Sequence, residues 1–328
     1  MVQSGSSTLA LRLALLLALA AGLTACAGLP SQHEPPPPST TLRAADSSPL
    51  GRLAFEAGVP AGRSGFRPLL LSAVAWQSRL TLISQALVAA AARGVRVRLL
   101  LEDFYTTGLT DLLLGLAAHP DVELRLHNPF PAGRDSRLLR LASLLGDFAQ
   151  LNRRMHNKLF IADGRAAIVG GRNLADAYFM RSENGNFLDF DLLRAGAVVG
   201  SLAGHFDTFW NSRFAVPLQA LANNGLTPAQ RRASFEVLTR ARRPAMQSTT
   251  AASAQTSTQA DAITALANLP LVVADAQVFF DSPEKTAKPS SAKSAAGSAA
   301  QSADGGPLLL PITRLLDQAT ERVTIVWP

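Results

Sequence analysis

A single cysteine, Cys26, stands in 328 residues, so no disulfide can form within the chain. Aromatic side chains are scarce: Phe, Trp and Tyr make up 6% of the residues, with 3 tryptophans and 2 tyrosines. That leaves no interleaved set of rings on which successive bases would stack, which argues against a surface built for nucleic acid. Acidic residues are in deficit, 24 Asp+Glu against 31 Lys+Arg, giving a formal net charge of +7. Such an excess favours anionic partners (phospholipid headgroups, a membrane surface, nucleic acid), or else serves solubility alone. The apolar run near the N-terminus, residues 13–19, is short for a stable membrane span.

What the chain does have is apolar content: 48% of its residues, with enough length for one large core or two modest domains. Its first 25 residues have the shape of a secretory signal, with Arg12 ahead of the apolar run and small residues ahead of Cys26. Leu23-Thr24-Ala25-Cys26 resembles a bacterial lipobox, in which the cysteine is lipidated and becomes the new N-terminus. The alternative is a plain signal peptide with an incidental cysteine. Ala27 follows, where an aspartate would mark retention at the inner membrane. The expected location is therefore the bacterial cell envelope, lipid-anchored on the periplasmic face of the outer membrane. Pro30, Pro35, Pro36, Pro37 and Pro38 then make an extended tether.

Beyond the tether, helix and short apolar strand alternate, which predicts an α/β layered fold. Residues 69–92, rich in Ala and Leu, read mostly as helix, with a short strand at 79–83 as an alternative. Gly94 supplies the C-terminal cap. Strands are predicted at 95–101 and 122–126, with a helix at 109–118 stopped by His119-Pro120. A further helix is predicted at 137–151. Asp163-Gly164 joins strands 158–162 and 166–169 as a hairpin. A strand at 187–193 and a helix at 198–211 follow. After Pro217 the pattern fades into two stretches, 245–260 and 282–306, that read as linker or disorder, with a strand at 269–280 between them. Residues 308–328 read as a helix and then a strand.

The chemistry concentrates in His156-Asn157-Lys158-Leu159-Phe160-Ile161-Ala162-Asp163. His156 and Lys158 are two apart, so a strand sends both to one face. Lys158 suits the non-bridging oxygens of a phosphodiester; His156 can attack phosphorus or protonate a leaving oxygen. Asp163 falls at the turn on the opposite parity, which favours a supporting role. Gly170-Gly171-Arg172-Asn173 lets backbone N–H groups approach an anion, and Asn173 adds a donor. Asp189 could accept a hydrogen bond from His156 and fix its tautomer; Asp191 competes for that job. The candidate catalytic set is His156, Lys158, Asp163, Asn173 and Asp189. The candidate phosphate-binding set is Lys158, Gly170, Gly171 and Asn173.

H-x-K-x4-D followed by Gly-Gly-x-Asn resembles the signature of the phospholipase D superfamily. Further segments resemble its bacterial cardiolipin-synthase-like lipoprotein branch: residues 92–103, Asn128-Pro129-Phe130, residues 151–158, and Phe206-Asp207-x-Phe209-Trp210-Asn211. The resemblance covers roughly residues 64–218. It implies a mixed sheet flanked by helices, forming one half of a pseudo-twofold pair in which each half gives one motif to a shared site. It also implies a histidine intermediate, with no metal or cofactor. On this reading the chain divides into a lipoprotein signal peptide (1–25), a lipidated cysteine and tether (26–62), a phospholipase D-like domain (63–220), a low-complexity linker (221–306) and the start of a second half (307–328).

No second H-x-K-x4-D occurs: His33, His119, His127 and His205 lack a lysine two residues on. The family also has an apolar strand and an acidic, glycine-containing loop near Gln85, where here helix runs into helix. Three functions stay open. The first is a phosphatidyltransferase or phospholipase D-type enzyme acting on anionic phospholipids at a membrane surface. The second is a homodimeric phosphodiesterase or nuclease, two copies completing one site. The third is a non-catalytic envelope lipoprotein that keeps fold and anchor without turnover.

Overall fold

The computed structural model describes residues 38–40, 59–60, 62–69, 79–103, 106–130, 155–171, 189–241, 271–286, 314, 317 and 318. In chain order the elements are β1 (Ser64–Leu69), α1 (Arg79–Ala91), β2 (Val97–Glu102), α2 (Thr110–Leu116), β3 (Val122–His127), β4 (Leu159–Ala162), β5 (Ala166–Gly170), β6 (Asp191–Gly196), α3 (Val198–Trp210), β7 (Ala215–Pro217), α4 (Leu218–Leu221), α5 (Pro228–Ala241) and β8 (Val272–Ala274), then a 3-10 turn at Pro283–Thr286. The fold is α/β with helices flanking the sheets, as the alternating pattern predicts. The strands form two sheets, β4-β5-β6-β1-β8 and β2-β3-β7. They belong to separate units, one containing Ala90–Arg154 and Arg213–Glu236, the other Pro37–Ala89, Met155–Ser212 and Val237–Pro328.

In the first unit, β2 and β3 run parallel and β7 pairs antiparallel with β3. Parallel strands need a covering crossover. Here α2 provides it, burying Leu112, Leu113, Leu114 and Leu116 almost completely. Asp103, at the end of β2, is fully buried. Its carboxylate accepts the Phe130 N–H at 2.9 Å and the Thr106 hydroxyl. The Glu102-Asp103 and Asn128-Pro129-Phe130 segments, picked out separately by resemblance, are thus tied together at one corner.

The same unit corrects the reading of 221–306 as linker. α5 lies inside that range, and its Phe235 is fully buried. A Cβ on Gly115 of α2 would stand 2.7 Å from Phe235 Cβ and 2.9 Å from the Arg231 carbonyl oxygen, so glycine is what lets α5 approach so closely. Arg232 also donates to the Ala118 carbonyl at 2.9 Å. The helix start was legible: Thr227-Pro228-Ala229-Gln230 is a capping box with proline at the first helical position. Gln230 Oε1 accepts the Thr227 N–H at 2.9 Å, and Thr227 Oγ1 accepts the Gln230 N–H at 3.3 Å.

In the second unit, β1 pairs antiparallel with β6 on one side and β8 on the other. β1 takes in only Leu69 of the helix expected over 69–92; residues 79–91 are helical as expected, and 70–78 lie outside the described residues. β1 carries Pro68, but β8 reaches only Ser64–Phe66, so Pro68 lies past that ladder and costs it no donor. Residues 79–83 are helical, not strand, as their Ala/Leu-rich surroundings and lack of turn residues favour. β8 covers only three residues of the strand expected at 269–280. The predicted helix at 137–151 lies outside the described residues, as does nearly all of 308–328. Among the described residues, Ser39 ties the tether to α3: its N–H donates to Asn211 Oδ1 at 2.9 Å, and Asn211 Nδ2 donates back to the Ser39 carbonyl at 3.0 Å.

The five-stranded sheet has two distinct faces. On one, Leu159, Ile161, Ala167 and Val169 pack against Val198, Val199 and Leu202 of α3. Ser64 Oγ accepts the Val198 N–H at 3.0 Å, satisfying one of the donors left open at the start of α3. The other face carries Phe160, Ile168 and Leu193, which the registers Phe160↔Ile168 and Ile168↔Leu193 place in one cross-strand row.

Burial pushes His127 down to about 4 and lowers His205; His119 is lowered by burial and then by Arg232, with Glu236 opposing. The unfolded chain takes up protons near pH 6.5 while these folded rings do not. Their contribution is therefore fully present above pH 6.5 and is lost as pH falls towards 4. The urea midpoint should fall steadily over that window, and His127→Gln should flatten the slope. A midpoint flat from pH 7 to 4.5 in the unsubstituted protein would refute this account.

Candidate active site

The Asp163-Gly164 turn sets the register of the site. Both residues have positive φ, 52° and 62°, as a type I′ hairpin turn requires, and Arg165 N–H closes on the Ala162 carbonyl at 3.0 Å. Aspartate and glycine tolerate that conformation best. β4 and β5 then pair from Ala162↔Ala166 to Leu159↔Val169. The next bond, Gly170 N–H to the Lys158 carbonyl at 3.3 Å, brings Lys158 opposite Gly170. Gly170 is in turn opposite Asp191 of β6. Lys158, Gly170 and Asp191 thus form one row across three strands. Opposed residues share a face, so this row lies on the face away from α3, with His156 two residues before Lys158 on the same side.

His156 is exposed and Lys158 half-buried. Lys158 Nζ donates to the His156 carbonyl at 3.0 Å, which holds the ammonium beside the imidazole-bearing residue. Asp191 is buried, 4% exposed. Both glycines are sites of close approach. A Cβ on Gly170 would stand 2.6 Å from the Phe190 carbonyl oxygen and 2.8 Å from Asp191 Cα, and would run into the Asp191 carboxylate. A Cβ on Gly171 would meet the Asp189 carboxylate, with Cγ at 2.7 Å. Asp189 is half-buried, and its Oδ1 accepts the Phe190 N–H at 2.8 Å. Gly170 therefore leaves room for the Asp191 carboxylate in the Lys158 row, and Gly171 for the Asp189 carboxylate.

Not every candidate is brought together. Asp163 sits in the turn, exposed, at the far end of β4; roughly 20 Å of extended chain separates it from His156. It shapes the hairpin, the supporting place that its position at the turn predicts. Asn173, Arg172 and Cys26 lie outside the described residues. Asp191 stands in the Lys158 row and Asp189 over Gly171. Among the described residues no three His, Cys, Asp or Glu side chains cluster as a metal would need, and no helix is long and apolar enough to cross a membrane.

One contact escaped the sequence reading. Asn157, between His156 and Lys158, points to the α3 side, where its Nδ2 lies 3.1 Å from His205 Nε2. His205 is dismissed on sequence because no lysine follows it; only the packing of α3 behind the sheet reveals it.

His156 and Lys158 thus share one sheet face, with Gly170 and Asp191 in the row beside Lys158. Residues 77–210 match the family described as Cardiolipin synthase, PLD-like domain, and this part of the chain belongs to the phospholipase D superfamily. Among curated relatives, it is 49% identical to Cardiolipin synthase C of Escherichia coli (strain K12) over 146 residues, 44% of this chain and 30% of that protein. It is 38% identical over 140 residues to an uncharacterized protein of Helicobacter pylori (strain J99 / ATCC 700824), 42% of this chain and 27% of that one. It is 35% identical over 88 residues to Cardiolipin synthase B of Salmonella typhi, 27% of this chain and 19% of that one. The chain spans less than a third of the length of these relatives. No solved structure gives a significant match.

Proposed function

We propose that the chain is a phosphatidyltransferase of the cardiolipin-synthase type, working on anionic phospholipids at the bacterial cell envelope. The row Lys158–Gly170–Asp191, with His156 beside it, is the observation that carries this reading. It lies within the region similar to cardiolipin synthases. The His156 imidazole attacks phosphorus, forming a P–N bond as the P–O bond to the headgroup alcohol breaks. The leaving oxygen takes a proton from an acid partner. An acceptor alcohol then attacks, returns its proton to that partner and releases His156. Phosphatidylglycerol as donor and a second lipid alcohol as acceptor give cardiolipin; water gives phosphatidic acid. Lys158 holds the non-bridging oxygens.

On this reading the acid partner is the His156 of a second copy in a twofold dimer, which would bring two H-x-K-x4-D motifs together. Phe160 is 56% exposed on the face that carries His156, an apolar surface that a second copy would cover. The Leu23-Thr24-Ala25-Cys26 sequence supports a lipid anchor, which with the net charge of +7 would hold the site near anionic membrane. The periplasmic face of the outer membrane is the location this reading assigns.

The test is lipid analysis of cells that lack other cardiolipin synthases and express the chain with and without His156→Ala. Cardiolipin should appear with the unsubstituted chain and vanish with the variant. Equal cardiolipin in both would refute the lipid reading. A strictly monomeric chain without phosphodiesterase activity would favour the non-catalytic lipoprotein instead.

A further inference from the structure

We propose that His205 is a positioning residue which, through Asn157, holds the His156-Asn157-Lys158 segment against helix α3. The segment needs holding. Residues 155–158 precede the regular strand, which begins at Leu159. The last ladder bond described at that end is the one from Gly170 N–H to the Lys158 carbonyl, a long one at 3.3 Å. His156 and Lys158 lie on the face away from α3, so their side chains do not reach the side of the sheet that packs on that helix. Asn157 has the opposite parity and is the residue of the three that can reach back to α3.

What it reaches is rigid. His205 is 7% exposed. Its ring lies 4.0 Å from that of Phe280 and 4.9 Å from that of Phe209, centroid to centroid. The two phenylalanines leave the imidazole little freedom to turn, so Nε2 is a fixed point 3.1 Å from the Asn157 amide. An apolar ring would fill the same place more cheaply, because His205 Nδ1 is buried without a hydrogen-bond partner. Asparagine is likewise poorly suited to the start of a strand. The bond between them accounts for both residues at once. Misplacing reacting groups by about 1 Å can cost on the order of a hundredfold in rate, so a latch directly behind the His-Lys pair has catalytic consequences.

The consequence for turnover rests on the phosphodiester reading; the positioning itself does not. The experiment therefore has two arms, both on the full chain, with His205→Phe, Asn157→Ala, the double variant and His205→Gln, whose amide can reach the position of Nε2. One arm follows the His156 ring titration and the Lys158 backbone amide shift by NMR. The other measures turnover of phosphatidylglycerol vesicles. His205→Phe and Asn157→Ala should each displace both NMR signals and lower kcat by roughly 10- to 100-fold, with KM within about twofold. The double variant should match either single one, and His205→Gln should return the signals and most of the rate. Where His205→Phe does not fold, Asn157→Ala and His205→Gln carry the comparison. Unmoved NMR signals in Asn157→Ala, additive losses in the double variant, or no recovery in His205→Gln would overturn the proposal. An unsubstituted chain without turnover would count against the proposed function, and the NMR arm would still decide the role of His205.

Discussion

His156→Ala should lower turnover of phosphatidylglycerol vesicles by at least about a thousandfold. If His156 forms the covalent intermediate, alanine removes the nucleophile, and in a twofold dimer it removes the acid as well. Lys158→Ala should cost about a hundredfold, the scale of losing one preset donor to the developing charge. Lys158→Arg should recover only part of that, because a planar fork does not present a point charge in the same place. None of these losses should come through unfolding. His156 is exposed, so its truncation should change stability by less than about 0.5 kcal/mol. Comparable kcat in His156→Ala and the unsubstituted chain, measured beside a melting curve, would remove His156 from the reaction and the proposed function with it.

The parts of this site that the sequence made legible are those whose reasons are local. The hairpin depends on Asp163-Gly164, two adjacent residues suited to positive φ, and so its turn and register could be read directly. The shared face of His156 and Lys158 follows from strand periodicity alone. The strands β2 and β3 were visible as short apolar runs between glycine and proline. What could not be read depends on partners distant in sequence. β1 has a proline and no alternation, and becomes a strand because β6 and β8 flank it. α5 has a polar sequence overall, and its inclusion in the fold turns on Phe235 meeting Gly115, about 120 residues earlier. The link between His205 and Asn157 spans 48 residues and depends on which face of α3 meets the sheet. Asp163 belongs with the legible part, because its place at the turn follows from the Asp-Gly pair alone.

Gly170→Ala should destabilise the chain by about 3 kcal/mol, whereas Gly171→Ala, one residue on, should cost less than about 1 kcal/mol. The difference lies in what an added methyl would meet. At Gly170 two of the nearest atoms are backbone, the Phe190 carbonyl oxygen and Asp191 Cα at 2.6 and 2.8 Å. Neither can turn aside without pulling β5 away from β6. The third is the carboxylate of Asp191, whose side chain is itself buried. Neither glycine has positive φ, so the argument is steric and not conformational. At Gly171 the three nearest atoms all belong to the Asp189 side chain, which is half-buried and can rotate. The two substitutions should therefore separate in a second measurement. Gly170→Ala should lower the urea midpoint and abolish activity together, because the Lys158–Gly170–Asp191 row is lost when the strands part. Gly171→Ala should leave the midpoint nearly unchanged yet reduce kcat about tenfold, if the displaced Asp189 carboxylate serves His156. Asp191→Ala in the Gly170→Ala background should restore only part of the stability, since the backbone conflict with Phe190 remains. Equal midpoints for the two alanine variants would show that Asp191 and the Phe190 carbonyl yield as easily as Asp189, and that Gly170 does not hold the three strands in this close register.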